Sequence, residues 1–226
     1  MRLAHLGFLA AGALALGGSL GCGSEEPMMM MEAKLNQKLL GTWKSAACEL
    51  GIMSSATLPV SIYYQREYRF TETDWSATVS VFIDPLCATT ALKTNVKGTY
   101  TVGNAATAPA GGTEIDFAFA ERRIQLLQPQ AALLLNTIMC GGMASWTAGP
   151  DVDVSTKGCK PLMPSNIECP KEFDVAKIDV LPTFVVTDPS TYPKLTLGAR
   201  PMSADGLCKA RPATFSTTPM AKTTPL

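Results

Sequence analysis

The sequence predicts an all-β protein, an antiparallel barrel or sandwich with one short helix. Three observations carry this. Residues 75–83 place Trp75, Ala77, Val79, Val81 and Ile83 on one face, against Ser76, Thr78 and Ser80. Residues 113–119 alternate in the same way, with Ile115, Phe117 and Phe119 opposite Glu114 and Asp116. Period two over such a length marks half-buried strands. The third observation is the punctuation by turn-forming pairs at the spacing of a barrel or sandwich. In chain order, strands are expected over 41–48, 63–71 and 75–83, the last ended by Asp84-Pro85. A strand over 92–102 stops at Gly103-Asn104, and Gly111-Gly112 leads into 113–119, followed by 122–128. Residues 130–140, QAALLLNTIMC, read as the helix, with Gly141-Gly142 to end it. Strands over 172–180 and 182–187 stop at Asp188-Pro189; those over 194–200 and 211–217 are divided by Asp205-Gly206.

Composition narrows the chemistry. The 226 residues carry 19 basic and 19 acidic side chains, and clustered positive charge is what phosphate binding needs, so nucleic acid is not an expected partner. The one histidine, His5, lies in an N-terminal apolar stretch that reads as removable. Without it the chain has no imidazole for a Ser-His or Cys-His nucleophile or a histidine-ligated metal. Carboxylates Glu114 and Asp116 share a strand face, but the opposite face is wholly apolar, so they read as a solvated outer surface. Asp151 and Asp153 lack the further ligands that calcium requires. No phosphate-cradling Gly-rich loop is present, and outside the N-terminal apolar stretch, where residues 17–21 read GGSLG, no GxSxG occurs. A non-enzymatic protein without metal or cofactor is expected.

The first 22 residues, MRLAHLGFLAAGALALGGSLGC, resemble a bacterial lipoprotein signal peptide. Arg2 supplies the positive start, Leu3 to Leu16 the apolar core, and small residues precede Cys22. Ser19-Leu20-Gly21-Cys22 keeps the glycine and cysteine of the lipobox and displaces its leucine by one position. An uncleaved anchor needs about 20 apolar residues, and this run breaks at Gly17-Gly18. The resemblance implies cleavage after residue 21 and acylation of Cys22, whose several chains would hold the protein to a bilayer. Gly23 and Ser24 are not the aspartate read as inner-membrane retention, so the implied destination is the outer membrane of a Gram-negative bacterium. Residues 22–34 then form a lipidated tether; its run Met28 to Met31 lacks the His or Cys that a copper site would add.

With Cys22 acylated, six cysteines remain: Cys48, Cys87, Cys140, Cys159, Cys169 and Cys208. None stands in a CxxC or other metal spacing, and an even number in an exported protein predicts three disulfides among 15 possible pairings.

The folded region also resembles a known family. Gly41-Thr42-Trp43 is similar to the GxW motif that opens lipocalin-like barrels, and Trp43-Lys44-Ser45-Ala46-Ala47-Cys48-Glu49 resembles the W-x-S-x-x-C-E opening of the APCDD1 domain family (adenomatosis polyposis coli down-regulated). Arg66-Glu67-Tyr68-Arg69-Phe70, Asp84 with Cys87, Gly98-Thr99-Tyr100, Cys140-Gly141, Trp146, Cys159 and Glu172-Phe173-Asp174 continue in that family's order. Leu197-Gly198 and Arg211-Pro212-Ala213-Thr214-Phe215 resemble its closing motifs, so the likeness spans 35–216.

The resemblance implies a lipocalin-like, partly open antiparallel barrel over 35–217, followed by a C-terminal tail at 218–226. It implies an interior that takes an acyl chain. The family's vertebrate members are membrane-anchored inhibitors of Wnt signalling with two such units. This chain has room for one and a bacterial-type leader, so only the architecture and a lipid-like ligand carry over. The family pattern also implies the pairs Cys48–Cys87 and Cys140–Cys159, leaving Cys169 with Cys208.

Small barrels are either filled by their own side chains or hold one small ligand. The inward residues Trp75, Val79, Val81, Ile115, Phe117 and Phe119, with Tyr64, Tyr68 and Phe70, therefore serve as core or as ligand lining. Arg66 shares the face of Tyr64 and Tyr68, and is expected to meet a ligand head group or a buried carboxylate. Trp43 is expected to plug the closed end, with Arg211 or Arg200 over its ring. Two functions follow: a membrane-tethered binder of a fatty-acyl or lipid-like ligand, or an envelope scaffold whose packed barrel contacts a protein partner.

Overall fold

The computed structural model describes residues 35–54, 59–160, 162–179, 193–200 and 206–223. The expected leader, Cys22, the tether and the strand at 182–187 lie outside them. Ten strands form one antiparallel sheet: β1 (Gly41–Ser45), β2 (Glu49–Ser54), β3 (Pro59–Phe70), β4 (Asp74–Phe82), β5 (Thr90–Ala105), β6 (Thr113–Leu126), β7 (Asp151–Asp153), β8 (Lys171–Asp179), β9 (Lys194–Leu197) and β10 (Met220–Lys222). The sheet runs β1-β10-β9-β8-β6-β5-β4-β3, and β1 pairs again with β3 to close an eight-stranded ring. The protein is thus an all-β, lipocalin-like barrel.

Closure is complete at one end only. β1 pairs with the far half of β3, Glu67 to Phe70, while β2 pairs with its first half. In the same way β8 pairs with β6 at Thr113 to Ala118, and β7 takes its place beside Arg123 to Gln125. β2 and β7 do not pair with each other among the described residues. The barrel is therefore sealed at the β1/β10 end and parts at the other.

β6 reads in the sequence as two strands, 113–119 and 122–128, but forms one. A β-bulge explains the difference: Gly98 faces Phe119 and Lys97 faces Glu121, leaving Ala120 unopposed. One extra residue shifts the inward face from odd to even positions. Ile115 and Phe117 point in before it; Arg122, Ile124 and Leu126 are buried after it. Gly98 permits the close approach, since a Cβ there would stand 1.8 Å from the Ala118 carbonyl oxygen. Gly98→Ala is expected to destabilise the barrel by about 1–3 kcal/mol as the backbone shifts. An unchanged urea midpoint would show that the bulge relaxes freely.

Two hydrophobic clusters fill the two ends. Trp43, Tyr68, Phe70, Trp75, Tyr100, Ile115, Phe117, Leu195, Leu197 and Met220 pack the sealed end. Leu92, Ile124, Leu126, Trp146, Val154 and Met163 form the second, with Leu135 of the helix. That helix runs Pro129–Thr137, starting one residue before the expected span of 130–140 and ending three before its end, with Pro129 at its start, where a missing N–H costs nothing. A second helical turn, unforeseen, covers 35–39; Leu35 and Leu39 are buried and the Leu39 carbonyl accepts from Trp43 Nε1 at 2.7 Å. We label these α1 (35–39) and α2 (Pro129–Thr137).

The closing cation differs from the expected one. Lys222, not Arg211 or Arg200, lies over the Trp43 ring at 5.2 Å, because β10 sets Lys222 directly opposite Trp43. The segment expected as a tail thus holds a ring strand at 220–222, whereas 211–217 contributes only an isolated bridge, Gly198 to Phe215. Arg211 instead reaches Asp116 Oδ1 at 2.5 Å and donates to the Asp174 carbonyl at 2.7 Å. Disulfides join Cys48–Cys87, Cys140–Cys159 and Cys169–Cys208.

Candidate functional site

The parting of the strands leaves a cavity of about 620 Å³ inside the barrel. Its walls are inward positions of β3, β4 and β5, where alternation places Ile62, Tyr64, Tyr68, Trp75, Val79, Val81 and Val96 side by side. Leu162 and Met163 close it from the loop before β8, and Phe215 from the C-terminal segment. The size lies within the usual range for a small-molecule site, and the lining is largely apolar with a few polar groups, as such sites are.

Three arginines enter this interior, each in a different setting. Arg66 is held by Glu49 in a two-pronged pair, Nε to Oε1 at 2.9 Å and Nη2 to Oε2 at 2.8 Å. Ser45 Oγ donates to Glu49 Oε1 at 2.5 Å and accepts from the Arg66 amide at 2.8 Å, and Thr218 Oγ1 also donates to Glu49. Of the two roles expected for Arg66, pairing with a buried carboxylate is therefore the one present. Burial pushes the Glu49 carboxyl upward, but Arg66 and the hydroxyls outweigh it and hold the pKa below the usual range.

Arg200 pairs with Glu172 Oε2 at 2.5 Å and donates to the Tyr68 hydroxyl at 3.1 Å. Behind them Asp174 is fully buried; its Oδ1 accepts from Val175 and Gly198 amides at 2.7 and 2.9 Å. Its Oδ2 has no hydrogen bond, and Arg200 Nη2 stands 3.7 Å away. Burial raises the Asp174 pKa from 3.8 to about 6, against the opposing pull of Arg200 and the two amides.

Between those two pH values the folded protein holds a proton that the unfolded chain has lost. Stability should therefore fall as pH rises through this window, by up to about 3 kcal/mol, and this contribution should level off above it. Asp174→Asn removes the titration. The difference in denaturation free energy between wild type and D174N, followed from pH 4 to 7, should show this slope. Glu49, with its depressed pKa, acts oppositely at lower pH and cancels in that difference. A constant difference across the window would refute the assignment.

Arg122 is the third. Its side chain is 2% exposed and its guanidinium lies 3.6 Å over the Phe119 ring. Nε donates to Asn166 Oδ1 at 2.8 Å and Nη2 to the Cys169 carbonyl at 2.9 Å. Burial lowers its pKa to about 10, with Glu172 opposing and Arg200 adding to the shift.

Of the residues expected to line the interior, Tyr64, Arg66, Tyr68, Trp75, Val79, Val81 and Phe119 face the cavity. Phe70, Ile115 and Phe117 do not; they lie in the sealed-end core, where Phe70 meets Tyr100 edge-on at 5.2 Å and Phe117 meets Trp75 at 4.4 Å. Arg122 was missed, although Ile124 and Leu126 continue its face and the break in alternation at Ala120 is visible in the sequence. Glu114 and Asp116 sit outside as expected but are ion-paired, Asp116 with Lys171 and Arg211, and Glu114 3.3 Å from Arg211. Asp151 accepts from Arg123, and Asp153 from the Ser155 amide. No carboxylate or cysteine group fit to hold a metal occurs among the described residues. No protein-family model matches the chain.

Proposed function

We propose that this protein is a membrane-tethered lipoprotein whose barrel binds a hydrophobic ligand, fatty-acyl or lipid-like. The observation that carries the reading is the cavity of about 620 Å³ walled by Tyr64, Tyr68, Trp75, Val79, Val81 and Phe119. A chain of about ten methylenes buried there gains roughly 8 kcal/mol. Much of that is offset by lost translational and rotational freedom. The tail supplies the drive and contacts at its end would supply selectivity. In this reading Cys22 carries the acyl anchor and the destination is the outer membrane. The ordered motifs that resemble those of the APCDD1 domain family point to the same ligand class. The protein acts by binding, not by catalysis.

Native mass spectrometry of the protein purified from its own host tests this. A bound amphiphile supports the reading; a ligand-free protein that also takes up no acyl probe overturns it. Mass analysis of the N-terminal peptide tests the anchor, since acylated Cys22 is the expected residue one.

One observation favours the scaffold alternative. Leu50, Ile83 and Leu86 are 65%, 64% and 85% exposed around the Cys48–Cys87 bridge. Exposed apolar groups gathered in one place suit a protein contact. Crosslinking in intact cells separates the two, because a stoichiometric protein partner with an empty barrel belongs only to the scaffold.

A further inference from the structure

We propose that the cavity selects amphiphiles bearing an acidic head group, carboxylate or phosphate, and that Arg122 is the residue that receives it. The inference deepens the ligand-binding reading and rests on it. Arg66 and Arg200 already have carboxylate partners, Glu49 and Glu172. Arg122 lines the same cavity with no carboxylate within ion-pair distance among the described residues. Its acceptors, Asn166 Oδ1 and the Cys169 carbonyl, are both uncharged.

A buried cation that only a more distant carboxylate, Glu172, opposes is a costly arrangement, and a group that contacts and neutralises it gains accordingly. The geometry also leaves a place for such a group. Asn166 and Cys169 occupy the Nε and Nη2 donors, and the Phe119 ring covers one face of the guanidinium. Nη1 has no acceptor among the described residues. Held on three sides, the guanidinium is oriented before any ligand arrives, so little freedom is lost when a bond to Nη1 forms. Its pKa of about 10 keeps it charged at neutral pH.

Matched probes test this on the purified, oxidised protein. Dodecanoate and 1-dodecanol share a tail and differ in head-group charge. Dodecanoate is expected to bind about 10- to 100-fold tighter, the factor given by a hydrogen bond to a charged partner. Dodecyl phosphate should share the advantage. Arg122→Gln should reduce the acid-to-alcohol ratio to about one while the alcohol still binds. Equal binding of acid and alcohol by wild type would overturn the head-group inference and leave the cavity reading standing. Failure of every tailed probe to bind would overturn the cavity reading itself. Acetate or inorganic phosphate displacing dodecanoate at similar concentration would mark a site for free anions, which also overturns the proposal. Should R122Q not unfold cooperatively, the wild-type ratio decides alone.

Discussion

Glu49→Ala is expected to destabilise the protein by about 3–5 kcal/mol, the cost of leaving a buried charge without its partner. The Glu49 and Arg66 side chains are only 2% and 7% exposed, and Glu49 is the centre on which Arg66, Ser45 and Thr218 converge. Those residues come from β1, β2, β3 and the segment before β10, so the carboxylate ties both edges of the ring closure together. Its removal also strands the Arg66 guanidinium inside an apolar barrel. Urea denaturation at pH 7 gives the measurement. The double variant Glu49→Leu with Arg66→Met should recover most of the loss, because two well-packed apolar groups need no neutralisation. A double variant as unstable as E49A would mean that the cluster acts through its hydrogen bonds to Ser45 and Thr218, not through charge balance.

Replacing Cys169 and Cys208 together by alanine should remove about 4 kcal/mol, as expected for a bridge joining residues 39 apart. The bridge ties the start of β8 to the 3-10 turn at Gly206–Cys208. Cys169 is fully buried, and its carbonyl holds Arg122 Nη2. Loss of the bridge should therefore also loosen the cavity wall and weaken binding of an acidic amphiphile more than that of its alcohol. Chemical denaturation of the double variant, followed by titration of the matched probes, measures both effects. A stable variant with an unchanged acid-to-alcohol ratio would separate the bridge from the site.

Much of the barrel was legible locally. In β4 the alternation named Trp75, Ala77, Val79 and Val81 as inward correctly, since side-chain direction in a regular strand follows position parity. Ile83, however, lies past a register shift at Val81/Phe82 and is exposed while Phe82 is buried. The helix was legible from its apolar run, but its end was not: it stops at Thr137, and Gly141-Gly142 fall in the 3-10 turn that follows. What alternation could not tell was depth along the barrel. Phe70, Ile115 and Phe117 share their parity with cavity residues, yet lie beyond the level at which the ring seals, where neighbours from β9 and β10 fill the space. The switch of apolar positions around Ala120 is visible in the sequence, but that it marks a bulge within one strand, not a gap between two, is decided by the partner strand β5.

The sequence by itself determined the class of fold, the inward faces where the alternation runs unbroken, the cysteines available for bridges and the lack of histidine in the folded region. These are properties of residue type and short-range order. Only the tertiary structure decided which cation covers Trp43, which carboxylate meets Arg66, and that Arg122 meets none. The three residues Lys222, Glu49 and Arg122 look alike in sequence to any surface charge. Each became buried because strands distant along the chain were brought into register around it, and that register is set by the packing of the whole ring.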